Sequence, residues 1–548
     1  MPTPTQLPPE FERSYLASGS YPLNHVSASS YGRSSLSDQR KRLKDRDQSL
    51  FVSNEKAKIP VRDITLAGKV SKENVLSDDH LKEFLGDLNV ASSDPQRRTE
   101  SSRVLAFQED VKCRFVFLVA ENALAPLEAQ STMLKRLLTF YQVMPQFLDF
   151  LYVYGSPHGE DKNLRFSGFR TEKALINPVP GTCIPDMGRS GRRFQICYNL
   201  KTVGLKFEQP GKQVDKVWKI RQAAVHHQFD VGSGVQNWIF GDPHAVVKGR
   251  IQELFHESRE HSSKFGTVEQ SLLSSLEIHL ALARWSTSEW RWNVQSLEEI
   301  IDNLTLDIIA IQKSNLDTLD SESLGRVQEW EDKTNETIMV MGSNADILTL
   351  LRKFYKELIE DQNFPSCELR ACKQAVNDFA FQLDEIIYDT QMQISRAKVL
   401  VKIVADRKAI LIQHLQAQTA LAASKLTASM YDQADRSAME AIAMRIVTVV
   451  TLFYLPATFS STFFSTDVVK YQDGVKFSRV AFERFLQVTI PLMVVTLLFA
   501  GAMLRLWNNC TALQVHVSIK KKQAKVCVLK QIAVSVLIPE CKAVKINV

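Results

Sequence analysis

The sequence has no Cys-x-x-Cys pair: its eight cysteines (Cys113, Cys183, Cys197, Cys367, Cys372, Cys510, Cys527 and Cys541) are scattered, which excludes zinc-ribbon and thioredoxin-type spacings. It has no Gly-x-x-x-x-Gly-Lys-Ser/Thr loop, no His-Glu-x-x-His helix and no Gly-x-Ser-x-Gly elbow. The usual sequence grounds for an enzyme are therefore missing, and catalysis is not expected. It lacks the basic-plus-apolar profile of a signal peptide at its N-terminus, and with unpaired cysteines this predicts a reduced, cytosolic or matrix-side setting for most of the chain. It also lacks a dominating charge, since 67 Lys and Arg against 61 Asp and Glu leave only +6 in 548 residues. A nucleic-acid partner is not expected from such a balance. Two further absences are local. No Gly or Pro occurs from Ser366 to Leu455, and no formal charge occurs from Ile446 to Phe464 or from Phe485 to Leu504.

What is present changes in texture along the chain. Residues 1–45, rich in Ser, Pro and Tyr without an apolar period, read as a mostly disordered lead. Residues 46–249 mix helical segments with strand-like runs at Phe115–Ala120, Leu164–Arg170, Arg193–Val203 and Val217–Phe229, which predicts a mixed α and β domain. Ser131–Tyr141 carries Met133, Leu134, Leu137 and Leu138 at helical spacing, suited to packing on a sheet. Residues 250–440 turn helical, with segments at Arg250–Trp285, Asn293–Ser314 and Glu322–Ile359, followed by the Gly- and Pro-free stretch. As one helix that stretch would be roughly 130 Å long and would need company. Ala380, Ile387, Ile394 and Val401 recur every seven residues, which predicts support from neighbouring helices or from other subunits.

The two uncharged runs, 19 and 20 residues long, match about 30 Å of hydrocarbon. They predict transmembrane helices at 441–464 and 485–507, joined by a short loop at 465–484, so that both termini lie on one side. In the first, Thr448, Thr451, Leu455, Thr458, Thr462 and Ser465 are spaced 3, 4, 3, 4 and 3 and share one stripe. A hydroxyl stripe can line water, or it can pack helices closely and bond back to its own backbone. Asp467, just beyond, would make a ring of carboxylates in a symmetric oligomer, and alone is an interfacial acid.

A mixed domain, a very long helix flowing into the first span and a second span near the C-terminus together resemble the CorA family of divalent-cation channels. Leu455-Pro456-Ala457-Thr458-Phe459, Phe463-Phe464-Ser465 and Val488-Thr489-Ile490-Pro491-Leu492 resemble its fungal CorA-like branch. So do Tyr141-Gln142-Val143-Met144-Pro145, Phe147-Leu148-Asp149-Phe150, Phe166-Ser167-Gly168-Phe169-Arg170, Gly188-Arg189-Ser190-Gly191-Arg192-Arg193 and Ile220-Arg221-Gln222-Ala223-Ala224. The resemblance implies an α+β cytosolic domain, a long helical stalk and two C-terminal transmembrane helices. It further implies a homopentamer whose first span lines the pore, with a Gly-Met-Asn signature at the mouth. That signature is absent: Ser465, Thr466 and Asp467 stand in its place, and only the acid could substitute for the asparagine. On the same register Met444, Leu455, Thr458 and Thr462 face the pore, Met444 and Leu455 as narrow apolar rings. The ion, magnesium or a similar divalent cation, would be transported or regulatory, with Asp432 and Asp435 as candidate internal acids and no permanently bound cofactor.

Other constellations carry less. His226 and His227 are adjacent on a strand and point to opposite faces, so they cannot chelate together. The run Gly188–Arg193 reads as a turn with solvated charge, with backbone phosphate binding as the alternative. Residues 508–548 form a strand-like cytosolic tail or a wrongly assigned coding stretch. Two functions follow: a CorA-type channel or transporter, and a non-conducting, membrane-anchored interaction or signalling protein that keeps the fold.

Overall fold

The computed structural model describes residues 7–65, 68–87, 107, 109–122, 125–155, 165–205, 218–243, 245–255, 262–310, 321–364, 369–465, 479–480, 482–503 and 505. The chain divides into two units, residues 1–418 and 419–548.

In the first unit, seven strands form one sheet: β1 (Ile59–Ile64), β2 (Val70–Val75), β3 (Cys113–Ala120), β4 (Phe169–Ala174), β5 (Arg193–Leu205), β6 (Trp218–Asp230) and β7 (Gln236–Pro243). Their order is β2-β1-β3-β7-β6-β5-β4. The pair β3/β7 is parallel and every other pair is antiparallel. The period of two along each strand divides the side chains between two cores. Phe115, Phe117, Phe194, Ile196, Tyr198, Trp238 and Phe240 point into one. Val116, Leu118, Cys197, Ala224 and Ile239 point into the other.

Helices cover both faces. Those before β4 are α1 (Pro9–Leu16), α2 (Ala28–Tyr31), α3 (Arg33–Asp45), α4 (Asp47–Leu50), α5 (Asp78–Leu85), α6 (Ser131–Phe140) and α7 (Phe147–Leu151). All but α2 supply the second core, with Met133, Leu134, Leu137 and Leu138 of α6 buried in it as their spacing predicts. Those after β7 are α8 (Val246–Leu254), α9 (Ser262–Phe265), α10 (Val268–Thr287), α11 (Trp290–Ala310), α12 (Ser321–Glu360) and α13 (Leu369–Ser465), and α8, α10, α12 and α13 build the first core.

Three readings need correction. Residues 9–45, expected to be mostly disordered, are largely helical, with Phe11, Tyr15 and Tyr21 buried. Pro9 opens α1, where its missing N–H costs nothing, and Phe11 and Tyr15, one turn apart, pack against Phe107 and Phe140. A few well-placed aromatics outweigh a disorder-like composition. Second, Arg250–Trp285 is not one helix, since α10 starts afresh at a capping box between Thr267 and Gln270. Third, two of the three charges in Gly188–Arg193 are not solvated: Arg189 pairs with Asp110 at 2.5 Å and Arg193 is buried, while Arg192 is half-buried.

The 97 residues of α13 form a single helix. Ala380 and Ile387 of the seven-residue repeat are buried and Ile394 packs in a smaller cluster with Val294 and Met341, so within this unit the repeat faces the chain's own helices. The opposite face carries a second apolar row, Phe381, Tyr388, Met392, Val399, Ile403 and Ile410, exposed by 64%, 61%, 50%, 60%, 36% and 36%. Spacings alternate between 7 and 4. At about 100° per residue this eleven-residue repeat stays on one line.

In the second unit, α13 continues to Ser465 and α14 spans Phe482–Met503. Both are long and apolar enough to cross a membrane, and only 6% of each apolar window is buried. Water-exposed apolar helices of this kind are not core helices of a soluble domain.

Candidate functional site

Proline at 456 does not interrupt α13, and the helix places all seven predicted pore residues within an arc of about 100°. Met444, Thr448, Thr451, Leu455, Thr458, Thr462 and Ser465 are each exposed. Among the described residues of this unit the buried positions are Pro456, Ser460 and Thr489, and Phe464 meets Phe485 edge to face at 6.2 Å between ring centres. Pro456, Ser460 and Phe464 form a line one helical turn apart, so α14 covers that side of α13. The hydroxyl stripe lies on the other side, about 170° away.

The hydroxyls are bonded to their own helix. Thr448 Oγ1 donates to the Met444 carbonyl at 2.7 Å, Thr451 Oγ1 to Thr448 at 2.9 Å, Thr458 Oγ1 to Tyr454 at 3.0 Å, Thr462 Oγ1 to Thr458 at 2.8 Å and Ser465 Oγ to Thr462 at 2.8 Å. Each proton is thereby turned inward, and what the stripe presents outward is oxygen lone pairs. Such a surface accepts hydrogen bonds from the water shell of a cation, whereas it offers no donor to an anion.

Asp432 pairs with Arg436 one turn along the helix at 2.9 Å, and Asp435 stands beside them, all exposed. Thr466 and Asp467 lie outside the described residues, as do Cys367, Cys510, Cys527 and Cys541. No group of three or more His, Cys, Asp or Glu suited to a metal occurs among the described residues. His226 and His227 do point apart. His226 Nε2 meets Gln195 Oε1 at 2.8 Å in one layer. His227 stacks on Trp238 at 3.8 Å and meets His279 in the other. Burial lowers His226 and His279 to about 3, so both are neutral packing groups.

A family model for CorA-like transporters matches residues 13–309, more than half of the chain. No curated protein matches significantly. Among solved structures, the complete CorA magnesium transporter from Methanocaldococcus jannaschii aligns at 11% identity and a TM-score of 0.32, over 82% of this chain and 97% of that one. The full-length CmaX protein aligns at 10% identity and a TM-score of 0.31, over 83% and 98%. With scores this low neither likeness adds weight to the family match. The sheet domain, the helix running from it and the two apolar helices agree with that match, and the chain belongs to the CorA-like transporters, as an integral membrane protein.

Proposed function

We propose that this chain forms a homo-oligomer, a pentamer, in which the end of α13 lines a path for hydrated divalent cations of the magnesium type. The observation that carries the proposal is the stripe from Met444 to Ser465: it offers outward oxygen lone pairs on the side of α13 that α14 leaves free. In this arrangement Met444 and Leu455 make apolar rings that hold the path closed by dewetting, and the threonines between them supply a surface for the ion's water shell. Asp467, in place of the asparagine of the Gly-Met-Asn signature, supplies a ring of carboxylates at the mouth, with Ser465 and Thr466 beside it. The exposed row from Phe381 to Ile410 supports contact between copies, because a continuous apolar line on a helix needs cover. Asp432 and Asp435 are the candidate acids for a regulatory ion that favours the closed state. Both termini lie on the cytosolic or matrix side.

A second reading rests on the missing Gly-Met-Asn: a non-conducting anchored protein that keeps the fold for interaction or signalling. Flux into liposomes separates the two. Purified oligomer should admit magnesium above empty vesicles, and Asp467→Ala should change conductance or selectivity several-fold. Intact oligomers without uptake sink the channel reading; uptake unchanged by the substitution removes Asp467 from the mouth.

A further inference from the structure

On the sheet face beneath α6 and α7, two consecutive cross-strand rows differ in kind. The first, Val116, Ile239, His226 and Cys197, is a buried row that is apolar except for His226. The next, Arg114, Asn237, Gln228 and Gln195, is polar from end to end. Its outer members are satisfied within the fold. Arg114 grips Asp63 at 2.7 and 2.6 Å and donates to Tyr141 Oη. Gln195 bonds His226, the Met144 amide and the Gln142 carbonyl. The central members are not: both side-chain atoms of Asn237 and Oε1 of Gln228 are buried without a partner.

A cavity of about 30 Å³ lies beside them, lined also by Arg189, Gly191 and Arg193. That is room for two waters or one small polyatomic ion. Arg193 is 5% exposed, and its guanidinium reaches only carbonyls, Tyr141 at 3.4 Å and Gln142 at 3.2 Å, with Nε unpartnered. Asp110 is taken by Arg189, and Asp230 by the amides of Ser190, Gly232 and Ser233 and by the Ser190 hydroxyl. Glu172 accepts from Tyr31 and acts on Arg193 only through space, and a guanidinium cannot shed its charge, so burial without a directly paired counter-ion is costly. The backbone is also held unusually here. Gln142 has a φ of 49°, in the left-handed region, and its carbonyl receives Arg193, Gln195 and His25. Gly191 has a φ of 76°, and a side chain there would meet Pro178 and Cys183 at 3.0 and 3.1 Å.

We propose that this cavity is a binding site for one small hydroxyl-bearing oxyanion, of the hydrogenphosphate or bicarbonate kind, with Arg193 as its counter-charge. The oxygens accept from Arg193 Nε and from Asn237 Nδ2, and the hydroxyl donates to Gln228 Oε1, so three of the four orphaned atoms gain a partner. The test uses the full chain in detergent, with thermal denaturation followed against inorganic phosphate, bicarbonate, and sodium chloride at matched ionic strength. One or both oxyanions should raise the melting temperature saturably where chloride does not, and which one does so names the ligand. Arg193→Met should weaken the apparent affinity at least tenfold, and Asn237→Leu, which removes no charge, should weaken it several-fold if the arginine variant fails to fold. A response no larger than that to chloride, or unchanged affinity in a folded variant, overturns the site.

Discussion

Arg114 sits between three elements, held by Asp63 of β1 and by the phenol of Tyr141, and its pKa is raised although burial itself pulls it down. Breaking a buried pair strands the remaining charge, and such losses run to about 3–5 kcal/mol. Arg114→Ala should therefore lower unfolding free energy by about that amount in denaturant titration, and a loss under about 1 kcal/mol would show that Asp63 finds water instead. None of this is legible in the sequence, where Arg114 is one charge just ahead of the strand-like run Phe115–Ala120. The hydroxyl stripe is the opposite case. Period alone puts Thr448 to Ser465 on one face, and the helix keeps them there. Spacing cannot say which side α14 covers or where the hydroxyl protons go, because both depend on contacts distant in sequence or on rotamers. The run at Gly188–Arg193 is visible as a motif, but the pairing of Arg189 and the burial of Arg193 are not, since both depend on what folds over them.

Among elements, α13 has the most to predict. Its inner face is fixed to the chain's own helices, while Tyr388 and Val399 stand at the centre of the outer row. Replacing both by Glu should leave the N-terminal unit folded, because neither is buried in it, and should convert oligomer to smaller species in light scattering and crosslinking. Unchanged mass would assign the row to some other cover. The absence of Gly and Pro announced this helix, and the uncharged run located its membrane end. The seven-residue repeat is legible as well, yet it does not say whether its partners are neighbours in the chain or other copies. Strands β1, β2 and β7 carry no strand-like signal in the sequence: β2 is mostly exposed and polar, and Gly241 and Pro243 punctuate β7. Sheet membership there is decided by pairing rather than by local pattern.

For the whole molecule, pH reports on the buried histidines. An unfolded histidine takes its proton near 6.5, whereas burial holds His25, His226 and His279 at about 3 and His227 well below its usual value. Between those values the unfolded chain binds more protons, so this contribution is complete above pH 6.5 and is lost as pH falls toward 3, by up to about 1.4 kcal/mol per unit for each group. Asp242, raised by burial from 3.8 to about 6, opposes it with one proton in part of that range. The melting temperature in detergent should thus fall from pH 7 to pH 5; a flat or rising profile would contradict burial of the four rings. The sheet carries another consequence, in time rather than in energy. Strands β4 to β7 form a consecutive meander that can close as it is made, but β3 pairs with β7 alone on its inner side. Throughout synthesis of the intervening chain β3 keeps an open edge, the kind of edge on which nascent chains aggregate. Slow completion of β7 would therefore appear first as lost yield, before any defect in a finished transporter.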